Sequence, residues 1–452
     1  SEATDLAIGL NNVTTTNGLL SINLATGNLS GSGNISTGTG NVSLNASAGS
    51  VALNVSLDQV SGNVLTLVAK NSSSLNTNVS NLIASVTNAS GGSLTISESN
   101  GLTINASDNV TTTNGPISID VGTGGAGDLN LSGNLSAGGA SNITLNVSNG
   151  LIIGTGNLTA GTLGVGNLDW TAINQPSVLN QANWIYSGLT AAVTGPGNSI
   201  AIDRSTNSSL TVFGLKTDSG TIDVKLSGTT GSLNLEGPVT AGYSVPGGTS
   251  DVTLNVTNGS IFGTGLITGN VLNVTAMSGA SLLSNVTSLI ANITDAGNVA
   301  GLSVSEYDSL EVPLSSNVET ANGPISLIVG TSGTGNLSIL GNILAGPGNL
   351  GDVTLNGANG IITGSGIVAA GNLTWVAQSQ PSDSTWLYNN VSGNVTGIGN
   401  DIVLTRTVTT GVNSLTTKSG NITVTINGTG NATPAVANLV LNGDVTAGPN
   451  NS

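Results

Sequence analysis

One phrase recurs along this chain at wide intervals and limits its possible folds more than any other feature. It reads NNVTTTNGLLSI at residues 11–22, DNVTTTNGPISI at 108–119 and NVETANGPISLI at 317–328, with shorter forms (TDSG and TKSG) elsewhere. Each copy is marked by a glycine: Gly18, Gly115, Gly220, Gly323 and Gly420. These glycines are 97, 105, 103 and 97 residues apart, which predicts a tandem array with a period near one hundred residues.

The units of this array are of two types that alternate. Residues 74–99 match residues 281–306, and residues 167–188 match residues 372–393, so the full repeat spans about two units. We predict unit A at 1–107, unit B at 108–212, unit A′ at 213–316, unit B′ at 317–414, and the start of a further unit at 415–452. Each B-type unit is predicted to carry a Trp-containing insertion. Both ends of the sequence match interior segments, which favours a piece of a longer chain over subunits that stack head to tail.

Within each unit, blocks of roughly 20 residues recur that alternate apolar and polar residues. Examples are DVTLNVTNGSI at 251–261 and NITVTI at 421–426. Such alternation is typical of strands with one buried face. A block this short cannot bury its apolar face alone, but it can when it stacks on copies of itself. The sequence therefore predicts an all-β parallel β-helix (a β-solenoid) of about 20 residues per coil with no helices of note, and with glycines at corners that often require positive φ.

The composition excludes several classes of function. Charged residues are 6% of the 452, only six are basic, and the chain has no Cys and no His. Six basic residues cannot form the patch that nucleic acids or acidic membranes require. No apolar run reaches the roughly 18 residues of a membrane span. We predict neither a nucleic-acid partner nor a membrane span.

Catalysis has few candidate residues, because His and Cys are the commonest bases, nucleophiles and metal ligands. Glycoside cleavage needs two carboxyl groups within about 10 Å. Glu306 and Asp308 are close in sequence and are predicted to share one strand face, but only one unit has this pair. We therefore expect neither an enzyme nor a cofactor. Asp128, Asp251 and Asp352 each precede an alternating strand and are interpreted as turn caps, with a structural cation as the alternative.

Three segments carry a resemblance to a known family. They are NITLNVSNGLIIGTGNLTAGTL at 142–163, DVTLNGANGIITGSGIVAAGNL at 352–373 and SLNTNVSNLIASV at 74–86. They resemble the repeats of large secreted bacterial surface proteins of the filamentous-hemagglutinin type, which are two-partner-secretion exoproteins. The resemblance covers nearly the whole chain. It implies a right-handed parallel β-helix, an extracellular or cell-surface location, and a role in adhesion or surface structure.

Asn-x-Ser/Thr triplets number 30, about twice the chance expectation for this composition. An apolar middle residue that is buried turns the Asn and the hydroxyl outward, where a glycan can be attached. The alternative is that a strand with alternating Asn, Thr and apolar residues contains this triplet by its composition alone, without being glycosylated. A rod with few charges needs some other hydrophilic coat, which favours glycans. The candidate glycosylation sites are Asn12, Asn28, Asn34, Asn41, Asn45, Asn54, Asn105, Asn142, Asn146, Asn255, Asn273, Asn285, Asn292, Asn336, Asn372, Asn394 and Asn421.

All four Trp residues lie in the B-type units, and a Tyr follows the second Trp of each pair. The functional interpretation is an aromatic platform that stacks on sugar rings. The favoured alternative is an insertion whose rings pack against the solenoid. The candidate residues are Trp170, Trp184, Tyr186, Trp375, Trp386 and Tyr388. Arg204 and Arg406 are predicted to occupy equivalent places and to pair with a carboxylate or with carbonyls.

These patterns predict a structural segment of a long extracellular filament, sheath or surface fibre. The segment is predicted to be N-glycosylated and to associate with further copies of itself, end to end or side by side. The second interpretation is an adhesin shaft that binds glycans or surfaces through the Trp-containing units. The third is a β-helix enzyme that acts on polysaccharides.

Overall fold

The structure is a computed structural model that describes residues 5–8, 12–176, 183–244, 250–295, 300–346, 351–382, 384–427 and 437–448. The chain forms two compact units, residues 1–203 with 210–220, and residues 204–209 with 221–452. Both are β-solenoids of parallel strands, with about 17 coils in all, about 23 residues apart. The predicted all-β parallel β-helix is confirmed, whereas the predicted coil of about 20 residues is too short.

The longer coil has a simple origin in its corners. One coil comprises strands Leu94–Glu98, Leu102–Ile104 and Asn109–Thr112, and the next begins at Ile117. Three or four residues separate successive strands, because each change of face needs a turn.

The strands up to residue 112 are β1 (Leu6–Ile8), β2 (Val13–Thr14), β3 (Leu20–Leu24), β4 (Leu29–Gly31), β5 (Ile35–Ser36), β6 (Val42–Ala46), β7 (Val51–Leu53), β8 (Val60–Ala69), β9 (Ser73–Val86), β10 (Leu94–Glu98), β11 (Leu102–Ile104) and β12 (Asn109–Thr112). Those up to residue 217 are β13 (Ile117–Val121), β14 (Leu129–Leu131), β15 (Asn134–Ala137), β16 (Ile143–Val147), β17 (Ile152–Ile153), β18 (Leu158–Ala160), β19 (Asn167–Ala172), β20 (Trp184–Ile185), β21 (Gly188–Val193), β22 (Ile200–Arg204) and β23 (Leu210–Thr217). The one helix among the described residues is a single 3₁₀ turn at Thr162–Gly164, in line with the predicted lack of helices.

The strands up to residue 328 are β24 (Ile222–Leu226), β25 (Leu233–Leu235), β26 (Val239–Ala241), β27 (Val252–Val256), β28 (Ile261–Gly263), β29 (Leu266–Ala276), β30 (Ala280–Ile293), β31 (Leu302–Glu306), β32 (Leu310–Val312), β33 (Asn317–Thr320) and β34 (Ile325–Ile328). The remaining strands are β35 (Leu337–Ile339), β36 (Asn342–Ala345), β37 (Val353–Gly357), β38 (Ile362–Thr363), β39 (Val368–Ala377), β40 (Leu387–Val395), β41 (Ile402–Arg406), β42 (Thr410–Thr417), β43 (Ile422–Ile426), β44 (Leu439–Leu441) and β45 (Val445–Thr446).

Strands of neighbouring coils pair in parallel and in register. In the first unit, Leu94 of β10 lies opposite Ile117 of β13, which lies opposite Ile143 of β16. The buried residues alternate with half-buried or exposed ones along each of these strands, so aliphatic side chains stack in ladders inside the solenoid. Each coil therefore covers the apolar side of its neighbour, which is the packing that the alternation predicted.

The recurring phrase forms a corner between two strands. Thr320 Oγ1 donates a buried hydrogen bond to the carbonyl of Gly323, three residues on. The same bond joins the Thr and Gly of the other four copies, at Thr15–Gly18, Thr112–Gly115, Thr217–Gly220 and Thr417–Gly420. A Thr-x-x-Gly sequence thus closes the same turn at each recurrence, and this explains why the phrase is repeated.

Most of the glycines of these corners are needed for a reason that the sequence did not reveal. None of the five has a positive φ, so the predicted conformational reason does not apply to them. A Cβ on Gly323 would instead overlap the carbonyl oxygen of Ala300 on the preceding coil, and a Cβ on Gly115 would overlap that of Gly92. At four of the five corners, those of Gly115, Gly220, Gly323 and Gly420, the backbone of the preceding coil comes too close for any side chain, whereas a Cβ on Gly18 would make only ordinary contacts.

The aspartates interpreted as turn caps do cap backbone groups, but on the next coil. Asp128 Oδ1 accepts a 2.8 Å hydrogen bond from the backbone N–H of Leu151. Asp251 accepts in the same way from Val271, at 3.1 Å. Asp352 accepts from both the N–H and the side-chain amide of Asn372. These carboxylates therefore connect neighbouring coils, beyond any role in their own turns.

Candidate functional site

The 17 candidate glycosylation sites all lie among the described residues, and none is buried. Twelve are exposed, and the other five are half-buried: Asn34, Asn45, Asn255, Asn285 and Asn372. The middle residue of the triplet is buried at 13 of the 17 sites. The exceptions are Val13, Val55 and Ala106, which are exposed, and Ile422, which is half-buried. The predicted outward placement of these asparagines is therefore what the structure shows, while their modification stays a prediction.

Three of these asparagines use their amide nitrogen within the fold. Asn28 Nδ2 donates to Asp5 Oδ1 at 3.1 Å, and Asn54 Nδ2 donates to Ser74 Oγ at 3.0 Å. Asn372 Nδ2 donates to Asp352 Oδ1 at 2.7 Å. Because N-glycosylation forms a bond to this nitrogen, these three sites are less available than the others.

The six candidate stacking residues face the interior of the solenoid. Trp375 is 1% exposed and Trp386 is 3% exposed, and Trp170, Trp184, Tyr186 and Tyr388 are likewise buried. Trp375 lies in register between Leu355 and Gly393, and the missing side chain of Gly393 leaves room for the indole. The structure thus presents no exposed aromatic platform at these residues. Their burial disfavours the sugar-stacking interpretation and agrees with the packing alternative.

After β19 ends at Ala172, and after β39 ends at Ala377, the described residues before the second tryptophan of each pair form no strand. Gln175 and Gln380 lie in these segments and bridge to the next coil. Gln380 Oε1 accepts from the N–H of Val403, and Gln380 Nε2 donates to the carbonyl of Val403 at 2.8 Å. Gln175 Oε1 accepts from the N–H of Ala201. In each segment a glutamine side chain therefore supplies the hydrogen bonds to the next coil that the backbone of a strand would otherwise supply. Residues 177–182 and 383 of the predicted insertions lie outside the described residues.

The two arginines do occupy equivalent places, each as the last residue of its strand, β22 or β41. Arg406 is 8% exposed, and its Nη1 donates to the carbonyl of Trp386 at 2.8 Å. Its guanidinium carbon lies 4.1 Å from the centre of the Tyr388 ring, a cation–π contact. The prediction that this arginine pairs with carbonyls is confirmed. Arg406 thus ties the Trp386–Tyr388 segment to the following coil.

Sequence reasoning missed the aromatic rings that do reach solvent. Phe213, Tyr243, Phe262 and Tyr307 are each between 40% and 50% exposed. Phe262 follows the buried Ile261 in β28, so its outward direction could have been read from the alternation. These four rings, and not the tryptophans, are the aromatic side chains with a large exposed fraction.

Two buried glutamates form the most unusual polar sites of the structure. Glu98 accepts from Thr77 Oγ1 at 2.7 Å and from the N–H of Val79 at 3.0 Å. Glu306 accepts from Ser284 Oγ at 2.6 Å and from the N–H of Val286 at 3.1 Å. Both carboxyl groups end a strand and connect it to the preceding coil. They are equivalent sites in the two A-type units.

The predicted pairing of Glu306 with Asp308 on one strand face is wrong. Strand β31 ends at Glu306, whose side chain continues the inward series of Leu302 and Val304 and is fully buried. Asp308 lies beyond the strand and is exposed. The bend after Glu306 breaks the two-residue period, so the two carboxyl groups do not share a face.

Burial raises the pKa of both glutamates, more strongly than the hydrogen bonds lower it. For Glu306 the pKa rises from 4.5 to about 7, with the charge of Asp308 as a smaller contribution in the same direction. For Glu98 burial is again the largest cause, and the bonds from Thr77 and Val79 act against it. Desolvation of a carboxylate disfavours its charged form, which accounts for the direction of both shifts.

This shift predicts that stability falls as the pH rises across the titration of Glu306. Between the unfolded pKa of 4.5 and the folded value of about 7, the folded state holds more protons than the unfolded state. The free energy of unfolding should therefore decrease through this window, by at most about 3 kcal/mol. Urea unfolding at a series of pH values measures it. Glu306→Gln should flatten the plot of unfolding free energy against pH within this window. Glu319→Gln, on an outward position, should leave the slope unchanged. An unaltered slope in Glu306→Gln would contradict the assignment of this pH dependence to Glu306.

Sites for catalysis are sparse in the described part of the chain. A groove of about 420 Å³ is lined by Asn292, Ile293, Thr294, Glu319, Thr320, Ala321, Leu344 and Gly346. Glu319 is its single carboxylate, whereas glycoside cleavage uses two. Among the described residues, no three His, Cys, Asp or Glu side chains come together as metal ligands, and no helix has the length and apolar character needed to cross a membrane. The enzyme interpretation stays untested by this geometry.

Comparison of the chain with protein-family models, with curated proteins and with solved structures finds no match.

Proposed function

We propose that this chain is a structural segment of an extracellular β-solenoid filament, sheath or surface fibre that carries N-linked glycans. One observation carries the proposal: inward positions are aliphatic ladders that run from coil to coil, and outward positions are mostly Ser, Thr and Asn. Most of the side-chain hydrogen bonds among the described residues join one coil to the next. Repeated coils with a polar, sparsely charged surface are what a fibre-forming segment requires.

The low density of charge on the surface also supports the glycan part of this proposal. Charged residues are 6% of the sequence, and the formal net charge of −16 is spread over 452 residues, so charge repulsion between neighbouring rods is weak. Outward asparagines in Asn-x-Ser/Thr triplets are spread over both units, so glycans would coat the surface and limit lateral association. The resemblance to filamentous-hemagglutinin-type surface proteins supports the same location and role.

Immunogold labelling of intact cells of the source organism tests the location and the fibre together. Antibody raised against the chain should decorate surface fibres or a surface layer, and antibody preabsorbed with the chain should not. Label confined to the cell interior would contradict the proposal.

Glycopeptide mapping of the protein from its natural source tests the modification site by site. We expect glycan-sized mass additions at asparagines that are exposed and whose amides make no hydrogen bond, such as Asn105, Asn146, Asn273 and Asn394. Asn28, Asn54 and Asn372 are the internal controls, and their occupancy should be lower because their amides are engaged. Bare peptides at all 17 sites would contradict the glycan part and leave the fibre part standing.

An adhesin shaft is the second candidate, and the exposed rings support it. Phe262 and Tyr307 lie on outward positions of the second unit, where they can contact sugar rings or another protein. A glycan array should then show binding that Phe262→Ala with Tyr307→Ala abolishes. A fibre without adhesive function gives no binding in the same assay.

A further inference from the structure

Asn-Gly dipeptides are unusually frequent in this chain and have a chemistry of their own. There are ten of them, and nine lie within the described residues. In such a pair the backbone nitrogen of the glycine can attack the asparagine side chain, because glycine offers no side chain to obstruct it. The rate in a folded protein depends on whether the asparagine amide is free to turn toward that nitrogen.

Three of the nine pairs occupy the same corner of different coils. They are Asn149–Gly150, Asn258–Gly259 and Asn359–Gly360, each following an alternating strand (TLNVSNG, TLNVTNG and TLNGANG). Gly150 N–H donates to the carbonyl of Val147 at 3.0 Å, and Gly360 N–H donates to the carbonyl of Gly357 at 2.8 Å. The turn is therefore the same in these two corners, and it does not by itself distinguish them.

The side-chain amides do distinguish the three corners. Asn258 Nδ2 donates to the carbonyl of Gly228 at 2.8 Å, and Asn359 Nδ2 donates to the carbonyl of Gly333 at 3.1 Å. The exposed amide of Asn149 makes no hydrogen bond to any described residue. To reach the attacking geometry, the first two must break a bond that the third does not have.

Five of the other six pairs are held as well. Side-chain hydrogen bonds engage Asn17, Asn100, Asn114, Asn356 and Asn442. Asn322 also has an interaction partner. Among the described pairs, Asn149–Gly150 is thus the one whose asparagine side chain has no hydrogen-bond partner in the described residues, apart from Asn322–Gly323, whose interaction is not assigned to the side chain.

We propose that Asn149 is the preferred site of spontaneous deamidation in the folded chain. The nitrogen of Gly150 forms a bond to Cγ of Asn149, the Cγ–Nδ2 bond breaks, and ammonia leaves with the proton that Gly150 has lost. Water then opens the cyclic imide at either carbonyl, which restores the glycine N–H and leaves an aspartate or an isoaspartate at position 149. Water is the only co-reactant, and the exposed corner gives it access.

The modification changes this corner in two ways. It places a negative charge on a surface that has few charges. The isoaspartate product also lengthens the backbone by one methylene, at a corner where Gly150 lies so close to Gly127 on the preceding coil that a Cβ would overlap its carbonyl oxygen. Deamidation at Asn149 is therefore expected to loosen the stacking of these two coils.

Peptide mapping by mass spectrometry tests the proposal on the folded, unglycosylated chain, held at mildly alkaline pH and body temperature. Asn149 should convert roughly three to ten times faster than Asn359 or Asn258, the factor expected from one ordinary hydrogen bond. In the same chain unfolded in urea, the three sites should convert at similar rates, because only the fold separates them. Asn149→Ser should remove the earliest acidic species seen by ion exchange. Conversion of Asn359 or Asn258 in the folded chain at the rate of Asn149, or faster, would overturn the proposal.

Discussion

Replacing Gly323 by alanine is expected to destabilise the solenoid by about 3 kcal/mol, the upper end of typical overpacking costs. The added Cβ would overlap the carbonyl oxygen and carbon of Ala300 and approach the nitrogen of Gly301. These are backbone atoms of the preceding coil, so no side-chain rotation can relieve the overlap. The corner must move outward, and the strands that it joins must lose register with their neighbours. A lower urea midpoint measures the effect.

Gly333→Ala is the matched control for this prediction. Gly333 lies ten residues further along the same unit, it has no heavy atom within 4 Å of its would-be Cβ, and its φ is not positive. We expect a change within about 1 kcal/mol, with a slight stabilisation from the less flexible unfolded chain. Equal losses in the two variants would show that close approach between coils is not the reason for the glycine at the Thr-x-x-Gly corner.

Replacing Trp375 by alanine is the second change with a large expected effect, a loss of about 3–5 kcal/mol. The ring is buried on the inner ladder between Leu355 and Gly393. Gly393 has no side chain to move into the space, so the cavity should persist. The variant should unfold at lower urea concentration and should lose part of the near-ultraviolet circular dichroism signal of the packed rings.

Leu387→Ala provides the comparison for this cavity. Leu387 belongs to the next coil of the same unit and is 51% exposed. We expect its truncation to cost about 0.5 kcal/mol or less, as is usual for outward positions. If Trp375→Ala costs no more than Leu387→Ala, the indole does not support the core, and the sugar-stacking interpretation regains its basis.

The fold could be predicted because its signals are local and periodic. Alternation along a strand such as Ile143–Val147 defines which residues point inward, and the short repeat demands neighbours that cover them. The same reasoning places asparagines such as Asn146 outward. The same reasoning could also have identified Glu98 as a buried residue, because it continues the inward series of Leu94 and Ile96.

The features that the sequence did not predict depend on contacts between residues on different coils. The need for Gly323 arises from Ala300, 23 residues earlier, and the burial of Trp375 depends on the small residue at position 393. The alternation puts Trp375 on the same face as Leu373 and Ala377, but whether the interior has room for an indole there depends on its neighbours on the adjacent coils. The break of period after Glu306 likewise follows from where the corner falls, and the sequence marks that position with no Gly. Glycan occupancy depends on an enzyme outside this chain.

Distances between spin labels on successive coils test the central claim most directly. The chain has no Cys, so single pairs can be introduced without background. Ser303, Ser326, Thr354, Thr374 and Ser392 follow one another in register on five neighbouring coils, all at half-buried outward positions.

Pairs from Ser303→Cys to Thr354→Cys, Thr374→Cys and Ser392→Cys span two, three and four coils. Stacked parallel strands predict mean distances that grow by about 4.8 Å per coil, to about 19 Å for the last pair. Distances that do not increase with the number of coils, or broad distributions without a defined mean, would contradict the stacked solenoid.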